Sequence, residues 1–250
     1  MPVAQWLVEA LDPQPGQRLL ELAAGTGEVG FLAAERIQPD GELISSDFAP
    51  EMLTAAQARA EALRLTGVRF KQIDAESIDL TAGSLDGVLC RWGYMLMADP
   101  GAALRETRRV LRPEGRVALA AWTGPDDNPW SSLIGRELVA QGHLEPPPPG
   151  EPGQFSWADP GIIEEHLAGV GFVDDINVET VGWTYDYADF DAWWAAAMDL
   201  SFRSADAVAG LGGTEVTAVK DVLRDAAAPY TAADGSLSMP AKSWVASAAA

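Results

Sequence analysis

Leu19-Leu20-Glu21-Leu22-Ala23-Ala24-Gly25-Thr26-Gly27-Glu28-Val29-Gly30 reads as a buried strand that breaks into a glycine-rich turn and then a helix. Glycines at such a turn let backbone N–H groups approach a ligand closely and place a helix N-terminus beneath it, which is how nucleotide-like cofactors are cradled. Gly25, Gly27 and Gly30 satisfy G-x-G-x-x-G, a pattern that by itself also describes a tight turn with close helix–strand contact. The neighbouring segments discriminate between the two.

Asp47 stands about twenty positions after Gly27, at the end of Gly41-Glu42-Leu43-Ile44-Ser45-Ser46-Asp47, a short apolar run that reads as a second strand. An acid there can accept hydrogen bonds from both hydroxyls of a ribose. The alternative is a cap on the helix that starts near Pro50-Glu51-Met52. A third strand is read at Val68-Arg69-Phe70-Lys71-Gln72-Ile73, followed by Asp74-Ala75-Glu76, whose carboxylates suit the exocyclic amine of adenine.

With these residues the sequence resembles the class I S-adenosylmethionine-dependent methyltransferases, in the branch of the quinone-biosynthesis C-methyltransferases and their type 11 small-molecule relatives. The resemblance implies that Glu21, Ala23, Gly25, Thr26 and Gly27 wrap the methionine part of the cofactor, and that Asp47 binds its ribose. Phe48 and Met52 would lie near the adenine, and Asp74, Ala75 and Glu76 would meet its edge. Arg91, within Cys90-Arg91-Trp92, would close the strand end nearest the methyl group, with Trp92 and Tyr94 flanking the acceptor or, equally, packing in the core. Leu111-Arg112-Pro113-Glu114-Gly115-Arg116 is similar to the family's turn before the fifth strand, read at Val117–Trp122. Ala23 and Glu114 depart from the family pattern, standing where many relatives carry glycine.

A nicotinamide or flavin Rossmann domain fits the same glycines less well. There the first glycine normally follows the strand at once, whereas here Ala23-Ala24 intervene. Glu21 would also repel a pyrophosphate but attract the sulfonium and ammonium of S-adenosylmethionine.

At 250 residues and 48% hydrophobic composition, the chain can bury a full core. A net charge of −20 opposes binding to a phosphate backbone. The basic cluster Arg105, Arg108, Arg109, Arg112 and Arg116 reads as a solvated helix face with cations near its C-terminus. The single cysteine, Cys90, excludes an intrachain disulfide and fits a reducing cytoplasm. The residues from Met1 to Leu11 lack the pattern of a signal peptide, no window reads as a membrane span, and no zinc or calcium spacing is present.

Helix and strand alternate up to Trp122, which predicts a parallel sheet wrapped by helices. The full expectation is a Rossmann-like, doubly wound, seven-stranded sheet, mostly parallel with an antiparallel last strand. One methyltransferase domain over residues 1–250 is expected, with a cofactor-binding half (1–122) and a substrate-side half (123–250). Residues 123–160, including the prolines 146–149, read as a long loop with a helix at Ser131–Gln141. A sixth strand is read at Ile176–Tyr185 and a seventh near Ser236–Ser247, and about 189–228 forms a helical insertion. Phe190, Trp193, Trp194, Ala197, Met198 and Phe202 give it an aromatic face, suited to packing or to a substrate lid.

Methyl transfer at a sulfonium needs orientation and exclusion of water more than a diagnostic catalytic residue, and none is singled out. His166 reads as structural and His143 as a surface loop residue. The expectation is a cytoplasmic enzyme that moves a methyl group from S-adenosylmethionine to a small apolar or aromatic metabolite, leaving S-adenosylhomocysteine. The acceptor atom and the oligomeric state stay open, and neither nucleic acid nor metal is expected. The alternatives are an NAD-dependent oxidoreductase and a non-catalytic S-adenosylmethionine-binding protein.

Overall fold

The computed structural model describes residues 2–148 and 150–250; Met1 and the last of the four consecutive prolines, Pro149, lie outside the described residues. Among the described residues, seven strands form one sheet in the order β3-β2-β1-β4-β5-β7-β6. Their ranges are β1 Arg18–Leu22, β2 Glu42–Asp47, β3 Val68–Gln72, β4 Leu85–Arg91, β5 Leu111–Trp122, β6 Asp174–Tyr187 and β7 Leu237–Ala249. The pairs β1–β2, β1–β4, β2–β3 and β4–β5 are parallel, and β5–β7 is antiparallel.

Residue types account for the sheet's interior. Leu19, Leu20 and Leu22 in β1 and Val88, Leu89 and Cys90 in β4 are buried on successive positions, the continuous apolar run of strands covered on both faces. Helix α1 (Pro2–Leu11) precedes β1, and α2 (Glu28–Arg36), α3 (Pro50–Leu63) and α4 (Pro100–Val110) lie between strands in sequence. Proline in the first turn begins α3 and α4, where its missing N–H costs no hydrogen bond.

β5 begins six residues earlier than the sequence predicts. Arg112-Pro113-Glu114-Gly115 is taken into the strand through a register shift opposite Leu85 and Gly87, and Glu114 adopts φ 68. The family glycine at that position would meet the left-handed backbone without strain.

The chain divides into two compact units. The first takes the residues through Thr123, Pro152–Val181 and Ser243–Ala250. It holds β1–β5, helix α6 (Pro160–Gly169) and the β5–β7 pairing. The second takes Gly124–Glu151 and Gly182–Lys242. Its helices are α5 (Pro129–Ala140), α7 (Phe190–Leu200), α8 (Phe202–Ala209) and α9 (Gly213–Ala227), around a core of Trp130, Ile134, Leu138, Trp193, Val219 and Leu223. The helix read through Phe202 is interrupted at Ser201, whose hydroxyl caps α8 by accepting from the Ser204 N–H.

Candidate cofactor site

Strand order reverses between β1 and β4, because the chain runs outward to β2 and β3 before returning beside β1. Such a switch point opens a crevice at the carboxyl ends of the strands. Within the first unit, Ala23, Asp47 and Arg91 stand at or just beyond the ends of β1, β2 and β4.

Ala23 (φ 49), Gly25 (φ 55) and Gly27 (φ 78) all take left-handed backbone. Ala23 therefore carries strain that the family's glycine would lack. The Ala24 N–H donates to the Ser46 carbonyl at 2.9 Å, and the Gly27 N–H donates to the Ala24 carbonyl at 2.8 Å. A Cβ on Gly27 would collide with the Phe31 ring, whereas one on Gly25 would meet no protein atom within 4 Å. Gly25 is thus the point at which the backbone lies open to a ligand. The Thr26 carbonyl accepts from Arg59 at 3.1 Å.

Glu21 is 2% exposed. Its carboxylate accepts from the Gly30 N–H at 2.7 Å and from the Ser45 hydroxyl at 3.3 Å. Because Gly27 has no side chain with which to cap α2, this carboxylate satisfies one of the helix's free N–H groups from below. A Cβ at Gly30 would strike it, so Gly30 serves the packing of Glu21. Burial pushes the Glu21 carboxyl up to about 7, against the hydrogen bonds from Gly30 and Ser45 and the charge of Arg91. The sequence suggested an acid facing a cation; the structure turns it inward, tying β1, β2 and α2 together.

Asp47 accepts from the Gly25 N–H at 2.9 Å through one oxygen and from the Ala49 N–H at 3.0 Å through the other. It precedes the N-cap of α3, which is Ala49, so it joins the second strand to the glycine loop rather than capping that helix. Phe48 is 70% exposed and Met52 is exposed beside it in sequence, two apolar side chains available to a flat ligand. Asp74 accepts from the Glu76 N–H at 2.9 Å across the half-buried Ala75, and Glu76 accepts from the Asp99 N–H at 3.0 Å.

At the end of β4, Arg91 pairs with Glu28 on the first turn of α2 at 2.6 Å. Its guanidinium lies 4.5 Å from the Trp92 ring centroid, and that ring stacks on Trp122 at 4.2 Å. The Trp92 indole N–H donates to the Ser243 hydroxyl at 2.9 Å. Trp92 adopts φ 60, an outlier for a bulky side chain of the kind that collects at functional sites. Tyr94 is different: it is 1% exposed, its hydroxyl shares a 2.6 Å hydrogen bond with Thr107, and its ring stacks on Trp157. Of the two alternatives for Tyr94 the structure shows core packing. Cys90 is likewise core, its thiol pushed up to about 12 by burial.

The pairing of Arg91 with Glu28 and the inward role of Ser45 escaped the sequence reading. No local pattern joins residues so far apart, although a polar Ser45 within an apolar run was a usable sign. His166 stacks on Trp157 at 5.0 Å. Among the described residues no group of three or more His, Cys, Asp or Glu is placed to hold a metal, and no helix is long and apolar enough to cross a membrane.

A glycine loop at the switch point, an acid at the end of β2 and an antiparallel seventh strand define an α/β protein built to hold a nucleoside-bearing cofactor. Residues 13–135 match the methyltransferase domain family. The chain is 32% identical over 210 residues to nocamycin O-methyltransferase of Saccharothrix syringae, covering 74% of this chain and 73% of that protein. It is 40% identical over 116 residues to demethylmenaquinone methyltransferase of Thermus thermophilus, a match spanning 46% of this chain and 51% of that enzyme. In fold it is similar to a presumed methyltransferase from Bacillus halodurans, at 16% identity, TM-score 0.66 and coverage of 98% and 97% of the two chains. The chain belongs to the S-adenosylmethionine-dependent methyltransferases. That membership sets aside the NAD-dependent alternative, and the open backbone at Gly25, the Asp47 carboxylate and the exposed Phe48 and Met52 fit the cofactor.

Proposed function

We propose that the protein methylates a small apolar or aromatic metabolite, with a hydroxyl oxygen as the first acceptor atom to test. The observation that carries this reading is the Trp92–Trp122 stack at the carboxyl ends of β4 and β5, which puts an aromatic pair at the strand end next to β1 and its glycine loop. The names of two relatives, nocamycin O-methyltransferase and demethylmenaquinone methyltransferase, support it. S-adenosylmethionine, when bound, supplies an electrophilic methyl carbon on a sulfonium.

In this reading the residues of the chain bind, orient and keep water out. The loop Ala23–Gly27 receives the amino-acid portion, Asp47 accepts from the ribose hydroxyls, and Phe48 and Met52 cover the adenine, whose edge meets Asp74, Ala75 and Glu76. Glu21 positions the loop without touching the ligand. The part-exposed edge of Trp92, whose faces are taken by Arg91 and Trp122, borders the acceptor, and holding the acceptor in line contributes about 7–11 kcal/mol to a displacement. No residue is assigned to proton transfer. The cofactor-binding half is residues 1–122, and the later half, with the helices of 189–228, serves the acceptor.

A cytoplasmic setting is supported by the lone buried Cys90. Nucleic acid is not a substrate in this reading. Arg105, Arg109, Arg112 and Arg116 each pair with a carboxylate, and Arg108 lies over Phe172, so the cluster presents no open cationic face.

Thermal melting with S-adenosylhomocysteine tests the site. Ligand at about a hundredfold its Kd stabilises by about 2.7 kcal/mol, equivalent to about 5–10 °C for a chain of this size. Asp47→Asn, which keeps one of the two oxygens and so one of the two local hydrogen bonds, is expected to weaken binding about tenfold or more. An unchanged affinity in that variant would remove Asp47 from the site. Turnover of planar hydroxylated aromatics against nonaromatic alcohols then tests the acceptor class.

A further inference from the structure

The glycine loop is held from outside as well as from within. Thr26 and Gly27 share one planar peptide unit, and both of its polar atoms are engaged. The Gly27 N–H donates to the Ala24 carbonyl at 2.8 Å, inside the turn. The Thr26 carbonyl accepts from Arg59 Nη1 at 3.1 Å, and that donor comes from α3, 33 residues further along the chain.

Arg59 is itself seated against the loop's own support. Its guanidinium carbon lies 5.7 Å from the centre of the Phe31 ring, which meets Phe70 of β3 edge-on at 6.4 Å. The same Phe31 ring fills the space that a side chain on Gly27 would need. One ring thus backs both the loop glycine and the arginine that holds the neighbouring carbonyl. Along α3, Met52, Ala56, Arg59 and Ala60 recur at i, i+4, i+7 and i+8 and so share a face, on which both alanines are buried. Where the chain enters this helix, Asp47 ties the Ala49 N–H to the Gly25 N–H through its two oxygens. The Gly25–Thr26 peptide is therefore flanked on both sides by contacts that lead to α3. Gly25 and Gly27 are the residues that lose most freedom when a backbone is fixed, and a loop fixed in advance spares the ligand that cost.

We propose that Arg59 is a positioning residue for the cofactor: through the Thr26 carbonyl it sets the shape of the glycine loop before the ligand arrives. The inference rests on the reading of that loop as the receiver of the cofactor's amino-acid portion. Arg59 touches no part of the ligand in this account, so its effect falls on the portion the loop receives and not on the adenosine.

The test compares S-adenosylhomocysteine with 5′-methylthioadenosine, which keeps the adenosine and sulfur but lacks the amino-acid tail, by calorimetric titration of the intact protein. Arg59→Met keeps an apolar stem against Phe31 and removes the donor. It is expected to weaken S-adenosylhomocysteine about three- to tenfold, the range of one hydrogen bond, and to leave methylthioadenosine unchanged. Arg59→Gln, polar but shorter, should behave in the same way, and Arg59→Lys, which retains a long donor, should recover most of the loss. A variant without the donor that binds S-adenosylhomocysteine as the wild type does, or that loses affinity for both ligands alike, overturns the proposal. Amide exchange on the unliganded wild type gives a check that needs no variant. The Gly25 and Gly27 amides should exchange at least about tenfold more slowly than unprotected amides, and free exchange there would show that the loop is not set in advance. If the wild type binds S-adenosylhomocysteine no better than methylthioadenosine, or binds neither, the reading of the loop itself fails and takes this inference with it.

Discussion

Glu21 shows how one buried carboxylate joins folding to acidity. Its carboxyl is raised from about 4.5 to about 7 because burial disfavours the anion more than Gly30 and Ser45 stabilise it. The folded protein therefore holds this proton when the unfolded chain has released it. The stabilising contribution is complete below about pH 4.5 and is lost as pH rises to about 7, at most about 3 kcal/mol for a shift of that size. Glu21→Gln removes the titration. Melting temperatures between pH 4.5 and 7.5 should fall more steeply for the wild type than for the variant, and parallel curves would refute the assignment. The acid itself was legible in the sequence as the last polar position of an apolar strand. Its direction was not, since Gly30 and Ser45 draw it inward through contacts that strand periodicity does not encode.

The helices of the second unit separate packing from exposure along a run that the sequence read as one face. Trp193 is fully buried, its indole N–H donating to the Trp130 carbonyl at 2.8 Å, with the Phe190 ring edge-on at 5.4 Å. Trp194 is covered by Lys220 at 4.9 Å from its ring. Phe202, at 84% exposed, has left this face, because Ser201 ends α7 and starts α8 on a new axis. Trp193→Ala should cost about 3–5 kcal/mol, read from urea denaturation. Phe202→Ser should stay within about 0.5 kcal/mol, and a larger loss would show that Phe202 is packed in solution. Helical spacing placed the aromatics correctly on α7 but ran through the break. Serine between two apolar helical stretches is a capping signal, and here it outweighs periodicity.

Across the whole molecule, the strands of the first half and their crossover helices were legible because each is written in local pattern: apolar runs for β1, β2 and β4, proline at helix starts, glycine at the turn. The late strands were legible as strands, and their place in the sheet was not. β7 enters between β5 and β6, pairing Trp122 with Ser243 through to Arg116 with Ala249. Only the closing of a chain-long loop creates those pairs, and nothing local announces such a partner. A fragment comprising residues 1–236 lacks β7 altogether and leaves β5 with an open edge. It should be recovered mainly as insoluble material and show no S-adenosylhomocysteine-dependent rise in melting temperature; a soluble, ligand-responsive fragment would contradict this.

Ser243 gives that topology a second meaning. The hydroxyl that steadies the Trp92 indole comes from β7, more than two hundred residues after the glycine loop that follows β1. A chain in which β7 has not yet paired with β5 carries the loop but lacks the hydroxyl that holds Trp92 in place. The Trp92 indole is tied down only once β7 has paired beside β5 and brought Ser243 to it.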